Sequence, residues 1–222
     1  MYRRFAIYFT PEGALAEMGS AWLGWDISQG CRVPHPRIDG LNLAALTKRP
    51  RKYGMHATIK PPMTLADGSR PEEFIEAASE IVKGLPLVAL TGLRVSQIGH
   101  FLALTVEGDQ TALNAMAAQV VAQLDPFRAA PTSEETNRRR QGHLTPSQGR
   151  NLARWGYPHV MEDFNFHITL TSPVKNANEV LPTAAAYFAP VLPTPFVIGA
   201  LTVAGEDVDG MFHAFARLPL GG

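Results

Sequence analysis

The stretches His56-Ala57-Thr58-Ile59 and His167-Ile168-Thr169-Leu170 share one pattern, His-x-Thr followed by a large aliphatic residue. Both lie in segments where polar and apolar residues alternate, which predicts β-strands over Met55 to Lys60 and over Phe164 to Thr171. Alternate side chains of a strand point to the same face. The pattern therefore places an imidazole beside a hydroxyl on the polar face of each strand.

The two strands are predicted to expose similar polar sets. On the first strand, His56, Thr58 and Lys60 share a face. On the second strand, the same periodicity groups His167, Thr169 and Thr171. With 7 His among 222 residues, chance gives about 0.5 His-x-Thr triplets, and far fewer with an aliphatic residue next. The two motifs lie 111 residues apart, half the chain. This spacing predicts two similar lobes that share one cleft.

Composition limits the protein class. An apolar fraction of 45% can form a large core, and a net charge of zero disfavours electrostatic binding to long nucleic acid. The single cysteine, Cys31, excludes a disulfide framework and a cysteine zinc site. Residues 1–9 are expected to form a first strand rather than a signal peptide. No apolar run reaches 18 residues, so we expect a cytoplasmic protein without membrane contact. We also expect a monomer.

Periodicity predicts the order strand–helix–strand–strand twice, once from each histidine strand. The expected fold class is α+β, an internally duplicated two-lobe domain over 1–222. Mainly antiparallel sheets line a central cleft, and helices pack outside. Lobe one spans about 1–125, the connector about 126–163 and lobe two about 164–222, with the first strand able to pair across lobes. Pro61-Pro62 is expected to stop the first histidine strand.

Longer matches surround both motifs. They are residues 53–62 (YGMHATIKPP), residues 154–158 (RWGYP) and residues 164–171 (FNFHITLT). On these residues the whole chain resembles the 2H phosphoesterase superfamily, which carries two His-x-Thr/Ser motifs in a duplicated α+β fold. The flanks resemble its branch of proteins named for phosphonate metabolism. The superfamily includes cyclic phosphodiesterases and 2′-5′ RNA ligase-like proteins.

The resemblance implies phosphodiester chemistry without metal or cofactor, with His56 and His167 catalytic. The residue types fit, because opening a cyclic phosphate needs a base, an acid and donors to the non-bridging oxygens. Imidazole serves both proton roles near neutral pH, and the hydroxyls of Thr58 and Thr169 can donate to the phosphoryl group. Which histidine is the base is left open. The expected substrate is a small cyclic phosphate, either a nucleotide or a ribose phosphate.

Further binding residues are suggested by position. Tyr8 alternates with Phe9 on the first strand, and Tyr53 precedes the first motif by three residues. Lys60 and Thr171 follow each motif on the histidine face. These four residues are candidate phosphate or substrate ligands, alongside the two threonines of the motifs.

Weaker suggestions concern aromatic and basic residues. Phe101 and Phe212 occupy matching places in the two lobes, where core packing is favoured over clamping a base. The run Arg138 to Arg140 fits a solvated helix face better than a phosphate contact. Residues 26–50 are irregular, and whether they close over the cleft is left open.

Three other functions compete with a cyclic phosphodiesterase. One is 2′-5′ ligation or processing of RNA ends, and another is a non-catalytic module that binds nucleotide or RNA. A metallohydrolase would need converging histidines and carboxylates, and only Glu162 and Asp163 lie near a motif histidine. We therefore expect no metal.

Overall fold

The computed structural model describes residues 2–132 and 144–221. Its strands are β1 (Arg4–Phe9), β2 (Trp25–Asp26), β3 (Cys31–Arg32), β4 (Ala57–Met63), β5 (Val88–Leu90), β6 (Gly92–Ile98), β7 (Phe101–Glu107), β8 (His167–Thr169), β9 (Phe196–Ile198), β10 (Ala200–Glu206) and β11 (Phe212–Pro219). Its α-helices are α1 (Gly13–Leu23), α2 (Leu43–Leu46), α3 (Pro71–Lys83), α4 (Thr111–Gln123), α5 (Pro146–Trp155) and α6 (Ala177–Phe188). Single 3₁₀ turns are Pro50–Tyr53, Asp125–Phe127, Met161–Asp163 and Ala189–Val191. None of these helices is long and apolar enough to cross a membrane.

The predicted α+β class with antiparallel strands is confirmed. The order β4-α3-β5-β6-β7 recurs as β8-α6-β9-β10-β11. Seven strands form one sheet in the order β11-β10-β1-β4-β8-β7-β6, so the two repeats share a sheet rather than holding one each. The two short strands β5 and β9 pair with each other in a separate ribbon.

The repeats exchange their hairpins. The β6–β7 hairpin of the first repeat lies beside β8, while β10–β11 of the second repeat lies on the β4 side. There β1 is inserted between β4 and β10, pairing with both. As a result, β1 is the outer neighbour of β4, just as β7 is the outer neighbour of β8. The histidine strands themselves are left adjacent at the centre.

One face of the sheet forms the main core. Residues on this face are fully buried, for example Ile7, Ala57 and Ile168. The helices that cover it contribute Phe74 and Ala78 from α3, Leu113 and Val120 from α4, and Val180 and Phe188 from α6. Helix α3 begins with proline and has Glu72 and Glu73 in its first turn, where acidic residues are favourable. The helices therefore stabilise one face and leave the other for the histidines.

Two strand boundaries differ from the predicted ones. The strand β4 continues through Pro61 and Pro62 to Met63, because the prolines lie at a bulge between the pairs Ile7–Lys60 and Phe5–Met63. A bulge leaves a residue out of the ladder, so a missing N–H is tolerated there. The strand β8 is shorter than predicted and holds only His167 to Thr169. The sequence also predicts a helix over 133–141, which lies outside the described residues.

Candidate active site

The pairing of β4 with β8 brings the two motifs together. Ala57 lies opposite Ile168 in an antiparallel register, which puts His56 opposite Thr169 and Thr58 opposite His167. Ala57 and Ile168 point into the core and are fully buried, so the four polar side chains share the other face. Opposed Cβ atoms in such pairs are about 5 Å apart. We call this side of the sheet the histidine face.

Both imidazoles are oriented in the same way. The His56 Nδ1–H donates to the Gly54 carbonyl oxygen at 3.0 Å, and the His167 Nδ1–H donates to the Asn165 carbonyl oxygen at 2.8 Å. With the proton assigned to Nδ1 by these acceptors, each Nε2 carries a lone pair. The Thr58 hydroxyl lies 3.2 Å from His56 Nε2 and can donate to it.

Gly54 is required for this arrangement. It adopts φ of 69°, in the region that favours glycine, and a Cβ there would lie 2.6 Å from the Ile27 side chain. Glycine therefore lets this turn pack closely against Ile27 while the Gly54 carbonyl points at His56. This turn joins the 3₁₀ segment Pro50–Tyr53 to the first histidine motif.

Burial disfavours the charged form of both histidines. It lowers the pKa of His56 from 6.5 to about 4, against the opposing effect of the Gly54 carbonyl, and nearby His167 lowers it further. Burial also lowers the pKa of His167, with the Asn165 carbonyl acting in the opposite direction and His159 adding to the decrease. Both imidazoles are therefore neutral at pH 7 in the free protein.

Aromatic rings surround His56. The Tyr8 ring centroid lies 4.1 Å from that of His56, and Tyr53 lies 5.6 Å from the same imidazole. Tyr8 is opposite Thr58 in the register of β1 and β4, so it belongs to the histidine face. Phe212 is fully buried 5.0 Å from Tyr53, which is core packing, whereas Phe101 is partly exposed 5.7 Å from His167.

The Tyr8 hydroxyl has an unusual environment. The residue is fully buried, and its Oη has no hydrogen-bond partner within the described residues. Burial raises the pKa of Tyr8 well above 10, with a further contribution from Tyr53. The group therefore remains protonated and is an unused donor on the histidine face. Few buried polar groups in proteins are left unpaired, so such a group calls for a functional explanation.

A hydroxyl pair lies beside each histidine, and sequence reasoning missed both. Thr105 is opposite His167, and its Oγ1 lies 2.8 Å from Ser96 Oγ. On the other side Thr10 follows Phe9, the partner of Ala57, and its Oγ1 lies 2.6 Å from Thr202 Oγ1. The matching pairs come from strands distant in sequence. Alternation within β7 could have suggested Thr105, but not its neighbour.

The prediction that Lys60 lies on the histidine face is wrong. A second irregularity, between the pairs Ile7–Lys60 and Tyr8–Thr58, moves Lys60 to the opposite face. Its side chain is 2% exposed, and its Nζ donates to the Val121 carbonyl at 3.1 Å and lies 3.7 Å from Asp125. Burial lowers its pKa to about 8, against the opposing effect of Asp125.

The prediction that Thr171 lies on the histidine face is also wrong. The strand β8 ends two residues earlier, at Thr169. Thr171 is 1% exposed, and its Oγ1 accepts a hydrogen bond from the Leu102 N–H at 3.0 Å. Its hydroxyl therefore stabilises the chain beyond β8.

The remaining sequence candidates have local partners or lie outside the described residues. Glu162 lies 3.6 Å from Arg150, and Asp163 accepts from Asn151 at 3.0 Å. In the two described ranges no three His, Cys, Asp or Glu side chains are grouped to hold a metal ion. The run 138–140 is not in these ranges. Part of the irregular segment, around Ile27, packs on β11 through a hydrogen bond from the Ala214 N–H.

Comparison with known proteins gives one family and several relatives. The model of a family described as "Protein of unknown function (DUF1045)" matches residues 58–213. A protein of Janthinobacterium sp. (strain Marseille) named ribose 1,5-bisphosphate phosphokinase PhnN is 34% identical over 99% of this chain and 51% of its own length. A protein of the same name from Laribacter hongkongensis (strain HLHK9) is 30% identical over 97% of this chain and 51% of its own length. The chain thus spans about half the length of these curated relatives.

The fold is also found in solved structures. Escherichia coli LigT in complex with NADP+ superposes with a TM-score of 0.51 at 13% identity, covering 100% of both chains. LigT in complex with phosphate gives a TM-score of 0.50 at 14% identity, covering 100% of this chain and 99% of the other. The expected resemblance in fold is confirmed.

Proposed function

This chain belongs to the DUF1045 family of proteins of unknown function, and we propose that it is a phosphodiesterase that opens a small cyclic phosphate. The observation that supports this most is the register of β4 and β8, which sets His56 and His167 diagonally across from each other with a threonine beside each. Binding alone would not require two imidazoles whose Nε2 atoms carry lone pairs. Acid–base catalysis requires them both.

The proposed reaction uses water as nucleophile. One imidazole Nε2 removes a proton from the attacking water as the new P–O bond forms. The other, protonated imidazole gives its proton to the departing alkoxide as the ring P–O bond breaks. Thr58 and Thr169 donate to the non-bridging oxygens, where negative charge develops. Tyr8 and Tyr53, which pack beside His56, border the substrate on that side.

The surroundings of the histidines favour His56 as the base and His167 as the acid. His56 is held against Tyr8 and strongly desolvated, so it stays neutral over a wide pH range. An entering phosphate brings negative charge, which favours protonation of a nearby imidazole. His167, on the more open side of the site, is the easier of the two to protonate.

The names of the curated relatives direct the substrate proposal toward ribose phosphates. Both are called ribose 1,5-bisphosphate phosphokinase, and this chain matches about half of each. We propose that this half acts on a cyclic phosphate of a phosphorylated ribose. The second candidate is a nucleotide or an RNA end, since LigT, which shares the fold, has been crystallised with NADP+.

The test is hydrolysis of a substrate panel in excess EDTA. The panel holds 5-phosphoribosyl 1,2-cyclic phosphate, 2′,3′-cyclic nucleotides and an oligonucleotide that ends in a 2′,3′-cyclic phosphate. We compare wild type, His56→Ala, His167→Ala and, as a matched control, His100→Ala, whose side chain is exposed in the β6–β7 turn. We expect wild-type turnover to survive EDTA. It should fall by at least about 10²-fold in His56→Ala and in His167→Ala, and it should be unchanged in His100→Ala.

Two results would contradict the proposal. Full activity in either folded motif variant would mean that the histidine is not catalytic. Tight binding of a panel member by the wild type without any turnover would favour the binding module. Preference for the oligonucleotide would favour the second candidate over ribose phosphate.

A further inference from the structure

The two halves of the histidine face differ in how they are covered. On the β1 side, Tyr8, Thr202 and Phe212 are at most 2% exposed, beneath the segment that holds Trp25 and Ile27. On the β7 side, Thr105 and Ser96 are partly exposed and Arg94 is exposed. A substrate whose reacting phosphate lies between the histidines can therefore extend over β7 and β6, where polar side chains are exposed.

Arg94 lies along this open direction. It is opposite Thr105 in the pairing of β6 with β7, and Thr105 is in turn opposite His167. The hydrogen bond between Thr105 and Ser96 shows that the two strands keep this face in common. Two strand spacings put the Arg94 Cα about 10 Å from the His167 Cα. An arginine side chain spans much of that distance.

The Arg94 guanidinium is loosely held. Its side chain is 67% exposed, and its Nε lies 3.8 Å from a Glu107 carboxylate oxygen, too far for a hydrogen bond. Among the described residues of this sheet, Arg4 and Arg217 also lie on the histidine face, and both are bonded to carboxylates. Arg4 donates to Glu206 at 2.5 and 2.6 Å, and Arg217 donates to Glu12 at 2.5 Å.

We infer that Arg94 binds a second, terminal phosphate of the substrate, in a subsite one strand beyond Thr105. This inference rests on the proposed function and narrows its substrate to a sugar that carries a phosphomonoester besides the cyclic phosphate. A guanidinium matches two phosphate oxygens with parallel N–H donors. The phosphate would replace the weak contact to Glu107, whose carboxylate turns to solvent.

Binding measurements separate this inference from turnover. The probes are 5-phosphoribosyl 1,2-cyclic phosphate and ribose 1,2-cyclic phosphate, titrated calorimetrically into the full chain carrying His56→Ala. With Arg94 present, the 5-phosphorylated probe should bind about 10- to 100-fold more tightly. Arg94→Gln should abolish that difference and leave the other probe unchanged, and Arg94→Lys should restore part of it.

Arg217→Gln is the matched control, because Arg217 lies on β11 at the other edge of the sheet, opposite Thr202, and is already paired with Glu12. It should change neither affinity. Equal losses for both probes in Arg94→Gln, no loss, or no measurable binding of either probe would overturn the subsite. An Arg94-dependent difference without turnover by the wild type would instead refute the phosphodiesterase and retain the subsite.

Discussion

Replacing Tyr8 with phenylalanine should make the protein more stable and less active. The Tyr8 Oη is fully buried and has no hydrogen-bond partner in the described part of the chain. Leaving a hydroxyl in that state costs about 1–3 kcal/mol of stability relative to water. The substitution removes the oxygen and keeps the ring that packs 4.1 Å from His56. We expect the free energy of unfolding to rise by about 1–2 kcal/mol.

Urea denaturation of the two proteins at pH 7 measures this difference. A matched control is Tyr187→Phe, because the Tyr187 hydroxyl donates to the Met18 carbonyl at 3.1 Å. Loss of that bond should lower the free energy of unfolding by about 1 kcal/mol. The two Tyr-to-Phe variants should therefore move in opposite directions, although the chemical change is the same.

Activity on the preferred cyclic phosphate completes the test. If the unused Tyr8 donor serves the phosphoryl group, Tyr8→Phe should lower kcat/KM by about tenfold or more. Destabilisation of 1 kcal/mol or more would show that the hydroxyl is paired in solution, which refutes the structural argument. A more stable variant with full activity would retain the unpaired hydroxyl and exclude it from the reaction.

Three further predictions concern other parts of the sheet. Lys60→Met should leave kcat/KM unchanged and lower the free energy of unfolding by about 1–3 kcal/mol, since the buried Val121 carbonyl loses its donor and Asp125 loses a neighbouring cation; a tenfold loss of activity in the folded variant would contradict this placement. Thr171→Val should cost about 1 kcal/mol in urea denaturation through its bond to the Leu102 N–H, again with unchanged activity, and a large drop in kcat/KM would return Thr171 to the site. His56 has a native pKa of about 4, below its unfolded value of 6.5, so the unfolded state binds more protons between these values. The free energy of unfolding should therefore rise by up to about 3 kcal/mol from pH 4 to pH 6.5, and a His56→Asn variant with the same rise would contradict the assignment.

Local sequence information predicted most of the elements. The sequence predicts helices over 71–83 and 177–188 and a strand over 101–107, and α3, α6 and β7 have these bounds. Each combines a clear periodicity with a proline, glycine or polar boundary residue. The pairing of an imidazole with a threonine on each histidine strand also follows from period two alone. These features depend on residues within a few positions of each other.

Features that depend on pairing could not be predicted in this way. Lys60 is two residues from Thr58, so strict alternation puts both on one face, but a bulge against β1 separates them. A bulge depends on the partner strand, which alternation within one segment does not encode. The position of Arg94 could not be predicted for the same reason. Its place on the histidine face depends on the pairing of β6 with β7, where Arg94 is opposite Thr105, and of β7 with β8, where Thr105 is opposite His167.

The sequence by itself determined that two equivalent His-x-Thr strands exist, with a core face and a polar face, in an α+β chain. The tertiary structure alone decided that β4 and β8 are neighbours in a register that opposes His56 to Thr169, and that β1 inserts to set Tyr8 beside His56. Periodicity indicates which face of a strand is buried, whereas the choice of neighbour and register comes from packing between segments that are distant in the sequence. The geometry of the candidate site, including the unpaired Tyr8 hydroxyl and the loosely held Arg94, is a product of that packing.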